Sequence, residues 1–371
     1  MMEVAVLIEN SAMEGFACEH GLSFFIRFRG REYLLDAGSS GAFLENARRL
    51  GICMENVETC ALSHGHYDHG GGFEKFFRVN EKGKVYAQKN AFFPYFSTSG
   101  GTLHEIGIPE AVKKQRERFR LTEGPAKIGE DVFLLPHTAS GLAKTGERAG
   151  LFTKRDGVLM PDAFEHEQSL IFDTEKGLVI FNSCTHAGIG AVLEEIKEAF
   201  PGRGLYAFLG GLHMKGKKNG EEICSFSEEE VQKMAARMTD SGLKWLYTGH
   251  CTGEIGFTLL QKYLGGRESG LPLALPHRKP IRQVNAAPAA DSRGMFLPGA
   301  DDFGFVDGQK LPVLHQPFSI AHGAFDVCTV HGGDQVGDGI VDGNHIRAGV
   351  GINDDQIRLF PFLKTSVQRL V

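Results

Sequence analysis

No apolar run in this 371-residue chain is long enough to cross a bilayer, so a membrane-embedded role is not expected. Positive charge is not in surplus either: 40 Lys and Arg stand against 46 Asp and Glu, a net charge of −6. Nucleic-acid binding relies on clustered cations, and that footprint is missing. The densest basic stretch, Lys113 to Arg120, reads as one helix with a solvated face. The seven cysteines are odd in number and scattered, which excludes a disulfide framework and fits a reducing compartment. The first residues, Met1 to Ile8, lack a basic leader and run straight into a strand pattern, so a cytoplasmic protein is expected.

What is present is the composition of a globular protein, 42% hydrophobic and 23% charged, with enough length for one large domain plus an extension. The density of metal-binding groups is highest at Ser63-His64-Gly65-His66-Tyr67-Asp68-His69-Gly70-Gly71-Gly72. His64 and His66 are two apart, and on extended backbone such side chains point the same way, so the pair can grip one ion. Asp68 and His69 follow as the chain turns, and would point towards a second. Imidazole nitrogen and carboxylate oxygen suit Zn²⁺, and Fe or Mn accept the same set. Val57 to Leu62 is short and apolar, a buried strand delivering these groups at its end. The competing reading is a surface turn that happens to be rich in histidine.

His64-Gly65-His66-Tyr67-Asp68-His69 resembles the His-x-His-x-Asp-His signature of the metallo-β-lactamase superfamily. Glu9-Asn10, Glu19 to Ser23 and Leu35-Asp36-Ala37-Gly38 extend the resemblance to a branch of metal-dependent hydrolases similar to a dihydropterin-condensing synthase. It implies an α/β fold, a four-layer αββα sandwich over about residues 1–268, with two divalent ions at one sheet edge and a substrate-shaping insertion at about 88–166. Strands are read at 3–8, 22–28 and 32–35, then a helix ending before Gly51. The resemblance places Asp36 near the metals in a supporting role, against an ordinary turn or cap.

Within the insertion, Phe92, Tyr95 and Phe96 are read as flat surface over a substrate or as lid packing. Further on, Asn182 to Ile189 resembles the family's Gly-Cys-Ser-His-x-Gly-Ile element and departs from it at Asn182-Ser183. It implies His186 as a ligand and Cys184 as a thiolate ligand or a neighbour; a thiolate would favour zinc. His166 is a further metal candidate, with a partly exposed strand-start histidine preferred. Gly210-Gly211-Leu212-His213 suggests His213 as a substrate or proton contact, or a structural residue. Thr248-Gly249-His250-Cys251-Thr252-Gly253 resembles the family's His-Cys-Thr-Gly element, which implies His250 as a ligand.

The expected centre therefore has His64, His66 and His186 on one ion, and Asp68, His69 and His250 on the other. Zinc is preferred, with Fe or Mn admitted. A hydroxide between the ions would act on a small phosphorylated or ester-like metabolite, with Asp68 orienting it. A pterin-type condensing transferase and a non-catalytic metal-binding sensor are the alternatives. The partner expected is a small molecule, without nucleic acid or membrane, and a homo-oligomer is admitted. Residues 269–371, rich in Gly, Pro and Asp, read as an unassigned turn-rich extension.

Overall fold

The structure, a computed structural model, describes residues 2–264 and the short strands Leu273–Ala274, Val350–Asn353 and Gln356–Leu359. The expectation for residues 269–371 falls mostly outside the described residues. Among the described residues, no helix is long and apolar enough to cross a membrane.

The chain opens with Met2–Ile8 (β1), Ser23–Phe28 (β2) and Arg31–Leu35 (β3), a meander of antiparallel strands in which the tight Arg29-Gly30 turn joins β2 to β3. Thr59–Ala61 (β4) and Lys84–Gln88 (β5) then add on in parallel beyond β3. Phe119–Thr122 closes that side beside β5, and Val350–Asn353 pairs with β1 on the other. A second sheet of seven strands includes Val132–Pro136, Gln168–Thr174, Gly177–Phe181, Leu205–Leu209 and Trp245–Tyr247.

The alternation of side chains along the strands explains the layers. Val4, Phe24, Ile26, Phe28 and Tyr33 of the first sheet meet Val132, Leu134, Phe172, Val179 and Phe181 of the second in one core between the sheets. The opposite face of the first sheet buries Phe43 and Ala47 of helix Ala42–Arg49 and Phe73, Phe76 and Phe77 of helix Phe73–Val79. The outer face of the second sheet buries Val192, Leu193 and Ile196 of helix Ile189–Ala199 with Val231, Ala235 and Met238 of helix Glu228–Asp240. This is the expected αββα order.

One expectation needs correction. The basic stretch is not one helix: it breaks into the turn Glu110–Lys113, the tight turn Arg116–Arg118 and the edge strand Phe119–Thr122. Burying Phe119 against Phe73, Phe77 and Phe92 outweighs the helical propensity of its basic neighbours. Within the segment 88–166, Ala126–Gly129 and Val132–Pro136 belong to the second sheet while Tyr95–Ser97, His104–Glu105, Leu151–Arg155 and Val158–Pro161 form a small sheet of their own. Among the described residues Cys18, Cys60, Cys184, Cys224 and Cys251 are free thiols.

Candidate metal centre

The parallel strands of both sheets end at the same edge, and each end delivers a polar side chain. Asp36 follows β3 and His64 follows β4. From the second sheet, Cys184 and His186 follow Gly177–Phe181, His213 follows Leu205–Leu209 and His250 follows Trp245–Tyr247. Strand ends in layered α/β folds leave such groups without ladder partners and aimed at a common crevice. Four of the residues at this edge, Asp36, Thr185, His213 and His250, have left-handed backbones, with φ of 59°, 58°, 45° and 48°. Non-glycine residues in that region carry strain that the surroundings must hold in place.

One buried carboxylate orients the first two imidazoles. Asp36 is fully buried, and its Oδ1 accepts the Ser63 N–H at 2.7 Å. Its Oδ2 accepts the Ser63 hydroxyl at 2.6 Å and His69 Nδ1–H at 2.8 Å. With its proton committed to Asp36, the Ser63 hydroxyl must accept from His64 Nδ1, 2.8 Å away. Both rings therefore turn Nε2 into the crevice. His250 is set similarly: Nδ1 donates to Asn10 Oδ1 at 2.9 Å and its backbone N–H donates to Glu9 Oε1 at 2.5 Å. Glu167, also fully buried, holds the third loop by accepting the N–H groups of His186 and Ala187 at 2.7 and 2.9 Å.

Two groups of ligand atoms result. His64, His66 and His186 present nitrogens within 4.8 Å of one another, with His64 Nε2 and His186 Nε2 3.3 Å apart. Beside them, Asp68 Oδ2 lies 3.4 Å from His69 Nε2 and 3.5 Å from His250 Nε2. His69 stands between the groups, since its Nε2 is also 3.2 Å from Cys184 Sγ. Cys184 is buried and forms a further group with His250 and Cys251.

The donor set fits divalent cations. A tetrahedral ion with bonds of about 2.0–2.1 Å keeps its ligand atoms roughly 3.3 Å apart, close to the separations of His64 from His186 and of Asp68 from His69 and His250. Buried His66 Nε2 and His250 Nε2 have no hydrogen-bond partner, and an unsatisfied buried nitrogen is costly unless something positive meets it. Charge agrees. Burial, followed by His69 and His66, holds His64 well below the usual imidazole range, and burial followed by His166 takes His66 down to about 3, so both offer lone pairs at neutral pH. Burial disfavours charge on His69 as well, yet Asp68 and Asp36 prevail and raise it to about 10. Surroundings that stabilise a positive ring there also stabilise a cation beside it. Burial pushes the Cys184 thiol up.

The remaining expected residues divide. His166 is completely buried rather than partly exposed, because Tyr95 and Phe164 cover it. Its Nδ1 accepts the Gly65 N–H at 2.8 Å and its Nε2 donates to Asp162 Oδ2 at 2.9 Å, so it braces the His64–His66 loop and has no nitrogen left for a metal. Asp36, likewise, has both oxygens engaged by Ser63 and His69. Tyr95 is buried against His166 with ring centroids 4.0 Å apart, and its hydroxyl donates to Asn90 O, so it is a wall behind the site and offers no flat cover. Phe92 packs on Phe119 under the first sheet, and Phe96 pairs within the small sheet. His213 does reach the centre, its ring 4.3 Å from that of His186. Sequence reasoning passed over Glu167, Asp162, Cys251 and, as site residues, Glu9, Asn10 and His20; only the resemblance of Glu9-Asn10 and Glu19 to Ser23 hinted at the last three.

Two sheets back to back, with a histidine-rich crevice at the ends of their parallel strands, define the metallo-β-lactamase fold. Residues 17–160 match the family model described as the metallo-beta-lactamase superfamily, and the chain carries that superfamily's fold. Among particular proteins it is 28% identical, over 252 residues, to the 7,8-dihydropterin-6-methyl-4-(beta-D-ribofuranosyl)-aminobenzene-5'-phosphate synthase of Methanocaldococcus jannaschii; the match covers 64% of this chain and 82% of that enzyme. An uncharacterized protein of the same organism is also 28% identical, over 264 residues, covering 70% of this chain and 94% of its own. The crystal structure of Tm1679, a metal-dependent hydrolase of the beta-lactamase superfamily, superposes with a TM-score of 0.61 at 28% identity, covering 74% of this chain and 96% of that one.

Proposed function

We propose that this chain is a two-metal hydrolase acting on a small phosphorylated or ester-like metabolite. The observation that carries the reading is the close set of His64, His66 and His186, with Asp68 within 3.5 Å of His69 and His250 beside it, and with His64, His69 and His250 held in tautomer by Ser63, Asp36 and Asn10. His64, His66 and His186 would hold one divalent ion, zinc in preference to iron or manganese, and Asp68, His69 and His250 the other. Such ions supply Lewis acidity to a phosphoryl or carbonyl oxygen and bring a water's pKa towards neutrality. Asp68, beside His69 and His250, would orient the attacking water. His213, whose Nδ1 is buried and without a hydrogen-bond partner, is the group for moving a proton at the substrate.

The relationship to the pterin-related synthase favours a second reading, a condensing transferase in which diphosphate leaves. Released phosphate or acid with no coupled product distinguishes hydrolysis from it. The test is metal analysis of the purified protein together with a panel of phosphoesters and lactones. We expect close to two divalent ions per chain and turnover on at least one class. His64→Ala with Asp68→Ala should lower kcat/KM by more than about 100-fold, because changes outside the ligand shell alone lose about 10–100-fold. A protein that takes up no transition metal and gains no activity on adding Zn²⁺, Mn²⁺ or Fe²⁺ would sink the proposal.

A further inference from the structure

An exposed imidazole stands over the second ligand group. The His20 side chain keeps 57% of its surface open to solvent, yet its Nε2 lies 3.3 Å from Asp68 Oδ2. Its ring stacks on that of His250, with centroids 5.4 Å apart and planes 25° from parallel. Surface histidines on loose turns do not hold such positions, and the backbone here is not loose. The Glu19 carboxylate accepts the N–H groups of Ser39 and Ser40, both at 3.0 Å, and the Ser39 hydroxyl donates to the His20 carbonyl. Asn10 Oδ1, which orients His250, also accepts the Gly21 N–H at 3.3 Å. Gly21 itself runs so close to the signature that a Cβ there would sit 2.6 Å from the Asp68 carbonyl oxygen, at a φ of 158°. Residues 19 and 20 are thus tied to the loop at Ser39 and Ser40, while residue 21 lies against Asp68 and shares Asn10 with His250.

The ligand atoms of His20, Asp68 and His250 lie within 4.8 Å of one another. Asp68 Oδ2 is 3.3 Å from His20 Nε2, 3.4 Å from His69 Nε2 and 3.5 Å from His250 Nε2. We propose, on the two-ion reading above, that His20 is a displaceable fourth ligand of the second cation. Asp68, His69 and His250 alone leave a tetrahedral position open, as catalytic sites do; with His20 the shell is closed, as in structural sites. Because the backbone is clamped while the ring is exposed, rotation about the side-chain torsions alone opens and closes that position. An entering anionic oxygen takes the place His20 vacates, and no proton transfer is required.

The test compares full-length wild type with His20→Ala, both loaded with Co²⁺, by metal counting, chelator competition, X-ray absorption and titration with inorganic phosphate. Expected for wild type are two ions per chain. Expected for His20→Ala are two ions still, one held about 10-fold more weakly, with one fewer imidazole in the absorption fit. Free imidazole should restore the lost ligand, and phosphate should bind His20→Ala more tightly than wild type, since it no longer competes with the ring. Unchanged metal affinity, imidazole count and phosphate affinity in a two-ion His20→Ala protein would overturn the role of His20 alone. Absence of metal from wild type would overturn the two-ion reading with it.

Discussion

At the scale of single residues, Asp36 has the widest reach of any side chain at this edge, although it offers no free oxygen to a metal. Its two oxygens take the Ser63 N–H, the Ser63 hydroxyl and His69 Nδ1, and through Ser63 they set His64 as well. One carboxylate thereby fixes a ring in each ligand group. Asp36→Ala leaves three donors unmet in a region with no access to water, and frees both imidazoles to turn or to change tautomer. We expect affinity for both ions to fall about 10–100-fold, with stability lowered by about 1–3 kcal/mol, whereas Asp36→Asn should keep the fold better than the metal. Chelator competition and urea unfolding of the two variants check this; a variant that weakens only one ion would disprove the shared role. The sequence made the cluster at residues 64–69 legible because its members are neighbours in the chain. It could not reveal Glu167 under His186, Asn10 against His250, or His20 over Asp68, because each pairing joins residues 19 to 240 positions apart.

At the scale of elements, local patterns were read correctly where burial and propensity agreed, as in the strands expected at 3–8, 22–28 and 32–35. They failed at Lys113 to Arg120, where the aromatic cluster around Phe119 decides the backbone, and at His166, where residues of the small sheet supply the cover. The Ser227 cap of helix Glu228–Asp240 carries a measurable charge effect. Ser227 Oγ accepts the Glu230 N–H at 3.3 Å, and Glu230 accepts the Ser227 N–H at 2.8 Å while pairing with Arg148 at 2.5 and 2.9 Å. Arg148, then the Ser227 N–H, lower the Glu230 pKa to about 2. A carboxylate depressed in the folded state stabilises above its unfolded pKa of about 4.3, and that contribution fades as pH falls through 4 towards 2. Solvent screening at this exposed pair keeps it below about 1 kcal/mol. Glu230→Gln should therefore be less stable than wild type by that amount at pH 7, with the gap narrowing as urea titrations are repeated towards pH 3. A gap that widens on acidification would contradict the assignment.

At the scale of the whole molecule, the ligands come from both sheets. The loop after β4 supplies His64, His66, Asp68 and His69, while strand ends of the second sheet supply Cys184, His186 and His250. The inter-sheet core of Val4, Phe24, Phe172 and Phe181 holds the sandwich together along its length, but at the crevice edge buried nitrogens face one another without hydrogen-bond partners. Divalent ions there would tie the two sheets together and satisfy those nitrogens in one step. Since such ions bind the folded chain and not a preformed site in the unfolded one, each stabilises by about 2.7 kcal/mol when free metal is 100-fold above its dissociation constant. For a domain of this size, each kcal/mol shifts the midpoint by about 2–4 °C, so chelation should lower Tm by about 5–10 °C for one ion and by more for two. The His64→Ala, Asp68→Ala double variant should melt near the chelated wild type and respond little to chelator, which separates loss of metal from loss of packing. Calorimetry of both proteins with and without EDTA reads this directly. If the wild-type midpoint does not move, the two sheets are held at this edge by packing alone and the crevice binds no ion tightly.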